Sequence, residues 1–165
     1  MTIETISAWI KATQLSALVT ETAWVWPVLQ TVHFFGLVML IGMALLLDLR
    51  ILGFGKGLRP GGIHSMMRIG IIGFVLNILT GIGFLAGDPE HFLGNPAFAA
   101  KMAFLAAAGT NVLLFYATGL GRKVDAMEPE DDAPAGAKFI AVTSLVTWAG
   151  VMYCGRMLPY LGDSF

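Results

Sequence analysis

Charge is what this sequence has least of. Only 13% of its 165 residues are Asp, Glu, Lys or Arg, while 56% are hydrophobic and the mean hydropathy is +0.75; soluble globular domains carry roughly 25% charge. So few charges cannot cover a water-facing surface, which excludes an isolated soluble globule. Ten Lys and Arg against eleven Asp and Glu leave a formal net charge of −1, so there is no basic surplus to hold a polyanion, and nucleic-acid binding is excluded. Cys154 is the single cysteine, which rules out an intramolecular disulfide framework and a cysteine-rich zinc cage. Histidine is scarce as well, at His33, His64 and His91. No GxxxxGK[ST], HExxH or dinucleotide glycine fingerprint occurs. The serines lie in no hydrolase-like pattern with a histidine and an acid.

Long apolar runs are abundant. A helix crosses the hydrocarbon core of a bilayer with roughly 20 apolar residues, and four such runs are present, at 24–48, 66–87, 97–120 and 139–161. They predict an all-α integral membrane protein, a four-transmembrane-helix bundle forming one membrane domain over 1–165. Small residues within the spans, such as Gly36, Gly73 and Gly83, suit close helix approach in lipid. Residues 3–19 lack the basic start and unbroken apolar centre of a cleavable signal peptide. With Ile3, Ile6, Ile10 and Ala17 on one stripe, they read as an amphipathic helix lying in the outer interface. Trp24 and Trp26 would anchor the turn into the first span.

The connections differ in charge. GFGKGLRPGG at 53–62 is basic and glycine-rich, whereas 124–137 carries Glu128, Glu130, Asp131 and Asp132 and reads as an acidic, mobile loop. Both leave the same side. That side has Arg50, Lys56, Arg59, Arg68, Arg122, Lys123 and Lys138, and the other has Lys11, Lys101 and Arg156, seven against three of the ten basic residues. The positive-inside rule then puts the two loops in the cytoplasm and both termini in the periplasm of a bacterial inner membrane.

Ionisable residues inside spans are costly and usually functional, which singles out His33, Lys101 and Arg156. At 1.5 Å rise per residue, His33 lies about 10 Å beyond Trp26, too deep for imidazole to reach the interface. Met152 on the fourth span lies at a similar depth, and His91, Lys101, Cys154 and Arg156 belong to the same half. This layer holds what a b-type haem needs: His33 as axial ligand, His91 or Met152 opposite, and Lys101 and Arg156 for the propionates. Copper on His33, Met152 and Cys154 is the competing occupant. A purely structural His33, bonded to a carbonyl or to a Thr, Asn or Trp of a neighbouring helix, remains open. So do snorkelling roles for Lys101 and Arg156 and a filler role for Met152. His64, on the opposite face beside Arg59 and Arg68, reads as touching lipid headgroups. Asp48 and Arg50 read as a helix-end pair.

The stretch TVHFFGLVMLIGMALLLDLRILG, 31–53, resembles the first helix of bacterial membrane proteins of the copper-resistance D (CopD-like) family. NPAFAAKMAFLAAAGTNVLLFYATGLGRK, 95–123, is similar to the helix of that family that carries one lysine. The pairing of a histidine helix with a lysine helix also resembles the HemJ type of haem-binding protoporphyrinogen oxidase. By that resemblance, His33 would be a haem or metal ligand and Lys101 its polar partner. The expected function is electron transfer or another redox role with haem b. The alternatives are movement of copper or a small solute, and a structural subunit of a homo-oligomer or larger membrane complex, with the lipid bilayer as partner in every case.

Overall fold

The computed structural model describes residues 2–161, which are helical with short connections and contain no strand. Four helical stretches are long and apolar enough to cross a membrane: Val25–Ile51, Pro60–Gly87, Pro96–Ala117 and Ala135–Tyr160.

The chain begins with α1 (Ile3–Lys11) and α2 (Gln14–Glu21), where the sequence predicts one helix over 3–19. Thr13 divides them. Its hydroxyl donates to Ile10 O at 2.7 Å and accepts from Ser16 N at 3.2 Å, so one side chain closes the first helix and caps the second. Helix α1 packs on α6 (Pro89–Leu93) and α2 on α5 (Met67–Gly87), and Lys11 pairs with Glu90 at 2.8 Å.

Helix α3 (Val25–Ile51) has 27 residues, about 40 Å at the standard rise. Its contacts with α5 pair Trp26 with Gly87, Leu29 with Gly83, Gly36 with Gly73 and Met43 with Gly70. Falling numbers against rising ones define an antiparallel pair. The glycines set its closeness: a Cβ on Gly73 would lie 2.5 Å from Gly36 O, and one on Gly83 would lie 2.9 Å from Leu29. Helices α7 (Pro96–Ala117) and α9 (Ala135–Met157) form the second antiparallel pair, with Gly150 against Phe104. At one end Asn95 caps Ala97 N and donates to Leu158 O at 2.9 Å; toward the other, Asn111 donates to Ile140 O at 3.0 Å. Contacts between α3 and α9 join the two pairs, giving the order α5–α3–α9–α7.

The third span stops at Ala117, not at 120, because Gly119 adopts φ +72°, a left-handed conformation natural to glycine. A short α8 (Leu120–Asp125) follows. The fourth helix starts at Ala135, before the expected 139. Opposite α8, α4 (Pro60–Ser65) leads into α5, with Pro60 at the first helical position, where a missing N–H costs nothing.

The largest buried cluster sits at this end, around Leu47, Ile51, Ile63, Phe115, Val124 and Ala137. Arg50 is buried beside it, 1% exposed. Its Nε donates to Leu58 O at 2.7 Å, and its Nη2 donates to the carbonyls of Glu128, Pro129 and Asp131. One guanidinium therefore fastens both connections. Lys56–Asp132 at 3.1 Å and Arg59–Glu128 at 2.7 Å add surface pairs between the basic and acidic segments, and Lys138 of α9 pairs with Asp132 at 3.5 Å. The hydrogen bond from Lys56, with the charge of Lys138, holds the Asp132 carboxyl below its ordinary value of 3.8. The segment read as an acidic loop thus makes hydrogen bonds and ion pairs with the basic one, and Arg50 binds carbonyls instead of Asp48. Asp48 is itself buried, with Ser144 as its polar neighbour and no hydrogen bond to Oδ2 among the described residues.

Candidate functional site

His33 lies on the α3 face toward α5. Its Nδ1 stands 2.7 Å from Thr80 Oγ1, and the Thr80 hydroxyl donates to Leu76 O, also at 2.7 Å. A hydroxyl has one hydrogen. With that hydrogen on Leu76, Thr80 Oγ1 is placed to accept from a protonated Nδ1 of His33. The threonine contact allowed for a structural histidine is therefore formed, and Nε2 lies outside it. No described protein group hydrogen-bonds to that nitrogen. One turn from Thr80, the amide of Asn77 donates to Gly73 O, and its buried Oδ1 has no partner among the described residues.

Aromatic rings surround this point. Phe84 meets the His33 ring edge-on at 5.3 Å between centroids and Trp26 at 5.3 Å. Phe84 also stacks on Phe92 at 6.5 Å, and Phe92 contacts His91 at 5.7 Å. Two phenylalanines thus connect His33 to His91, and the histidines do not face one another as a pair of ligands would. His91 is carried by α6, whose N-cap is Asp88.

Lys101 on α7 reaches α9, its Nζ 3.7 Å from a Cβ on Gly155, the residue after Cys154. Of the expected layer, Lys101 from α7 thus lies beside the stretch of α9 that carries buried Cys154, while His33 faces α5. Met152 does not join this layer. Its side chain faces outward at 52% exposure, on the far side of α9 from Cys154, two residues on and about 200° around the helix. Arg156 is exposed, with its guanidinium 5.6 Å from the Tyr160 ring centre. Among the described residues no three His, Cys, Asp or Glu side chains form a metal-holding group.

A second cluster lies at the opposite end of the bundle, where composition pointed only to lipid contact. His64 Nδ1 is 2.7 Å from Asp125 Oδ1, and its Nε2 is 2.6 Å from the Tyr116 hydroxyl. The partners come from α8 and α7, 61 and 52 residues away, so spacing along the chain gives no hint of them. A Cβ on Gly61 would lie 2.8 Å from Asp125 O, which shows how closely α4 and α8 approach.

No known protein family, curated protein or solved structure matches the chain.

Proposed function

We propose that this chain is a multi-pass protein of a bacterial inner membrane that holds a b-type haem through His33 and serves electron transfer or another redox role. The observation that carries this reading is the Nδ1–Thr80 contact of His33, which leaves Nε2 without a protein partner among the described residues. An imidazole that binds iron commonly donates its other N–H to a fixed acceptor, which sets ring orientation and basicity. Lys101 supplies a cation for a propionate, and Phe84 gives an apolar, ring-lined wall. The fit is one-sided: His33 would hold the haem, and neither His91 nor Met152 stands across from it to share the task. Haem bound there would supply a one-electron couple. The chain's own residues fix the imidazole, keep water from its Nδ1 side and place a positive charge at the same depth. The four apolar spans and the bias of basic residues toward one side support the membrane and the orientation, with the 53–62 and 124–137 connections cytoplasmic. A kinship with CopD-like and HemJ-type proteins, read from the sequence alone, would assign the same pair, His33 and Lys101.

The test is the absorption spectrum of the detergent-purified chain, expressed with haem in supply. A Soret band is expected, lost in His33→Ala. Thr80→Val removes only the acceptor of Nδ1–H and should weaken haem retention by roughly 10–100-fold. A full band in His33→Ala overturns the ligand assignment. Copper without porphyrin in the purified protein would favour metal movement, and colourless, metal-free protein recovered only with partners would favour a structural subunit.

A further inference from the structure

At the end of the bundle away from His33, a cavity of about 530 Å³ opens between α4, α5, α7 and α8, and it includes His64, Arg68, Tyr116 and Asp125 in its wall. Its polar groups are not equally free. The Asp125 carboxylate is engaged by His64 Nδ1 at 2.7 Å, and the second ring nitrogen is engaged by Tyr116 at 2.6 Å. The acid, imidazole and phenol form a closed chain that ties α4 to α7 and α8. Among the described residues Arg68, like Arg122, Lys123 and Arg156, has no carboxylate pair, and of these it is the one that lines the cavity.

The wall changes character along α5. Arg68 belongs to its first turn, Met67 stands beside it, and Ile71, 59% exposed, follows about one turn deeper into the apolar span. The cavity thus offers an unpaired guanidinium at the mouth of a span and an apolar surface immediately below it. A guanidinium is suited to a phosphate, which it binds through two parallel N–H donors, and an apolar step about one turn away suits an acyl chain.

We propose that this cavity binds the phosphate group of an anionic phospholipid, with Arg68 on the phosphate, Met67 and Ile71 along the first methylenes, and the Asp125–His64–Tyr116 chain as the rigid back wall. The site is independent of haem, being at the other end of α3, about 20 Å away by helix rise.

The experiment measures thermal unfolding and native mass spectra of the full chain in detergent. The probes are phosphatidylglycerol, phosphatidylcholine with the same acyl chains, and inorganic phosphate. Phosphatidylglycerol should give a saturable rise in Tm and a one-to-one adduct that phosphatidylcholine does not give. Both effects should be lost in Arg68→Gln and kept in Arg122→Gln, which removes a neighbouring charge outside the cavity. An Arg68-dependent rise with inorganic phosphate alone would support the phosphate site and assign its source to a free anion. Equal responses to the two lipids, or equal losses in the two arginine variants, would overturn the proposal. Circular dichroism of Arg68→Gln, expected to match the parent, separates lost binding from lost folding.

Discussion

Arg50 shows how a single residue can govern an end of this molecule. A guanidinium buried to 1% exposure is tolerated because carbonyl oxygens from two separate connections face it. Replacing it removes several charge-assisted hydrogen bonds at once and leaves those carbonyls buried without a donor. Arg50→Met is therefore expected to lower stability by roughly 3–5 kcal/mol, measured by chemical unfolding in detergent, while Arg122→Met, exposed on α8, should change it by less than about 0.5 kcal/mol. At this scale the sequence is only partly legible. Arg50 reads as one half of a helix-end pair because Asp48 is two residues away, but residues two apart on a helix point in different directions. His33 is legible by depth, since counting from Trp26 needs no tertiary information. Its partner Thr80 is not, because the rotation of α5 against α3 decides which polar residue meets it.

The helices were legible as apolar runs, and their ends were not. Hydropathy carries the third span through to 120, and the left-handed turn at Gly119 stops it at Ala117. Residues 3–19 show one amphipathic stripe, and Thr13, a good helix cap, breaks it in two. The glycines noted for close packing, Gly36, Gly73 and Gly83, do that work across α3–α5. Since a Cβ on Gly73 would meet Gly36 O at 2.5 Å and Leu40 N at 2.8 Å, Gly73→Ala must push the helix backbones apart. It should destabilise by about 1–3 kcal/mol. Gly81→Ala, with nothing within 4 Å of the added carbon, should be neutral or slightly stabilising, because alanine favours a helix over glycine. Unfolding of the two variants side by side separates packing from propensity.

As a whole the molecule is asymmetric from end to end. Its buried apolar cluster, its buried arginine and most of its ion pairs lie at the end carrying the 53–62 and 126–134 connections, while Phe34, Phe35, Val38 and Leu113 on the spans are 65–72% exposed. A surface this apolar calls for lipid. The all-helical fold and the four helices long and apolar enough to cross a membrane follow from composition and run length alone. The joining of α4, α7 and α8 around His64 does not, since it depends on two chain reversals. The orientation is open to direct measurement. In a Cys154→Ser background, cysteines at Gly57 and Glu130 should react with a membrane-impermeant maleimide only from the cytoplasmic side, and a cysteine at Thr2 only from the periplasmic side. Labelling of all three from one side would overturn both the span count and the orientation.

The hold of Arg50 on the 126–134 segment also has a consequence in time. The carbonyls of Glu128, Pro129 and Asp131 follow Arg50 by 78 to 81 residues, so a ribosome finishes the first helical hairpin long before it makes them. Until the second hairpin arrives, that guanidinium has only the Leu58 carbonyl and water to satisfy it. The first hairpin therefore leaves synthesis incomplete at one end, and the emerging second hairpin carries the acceptors that complete it.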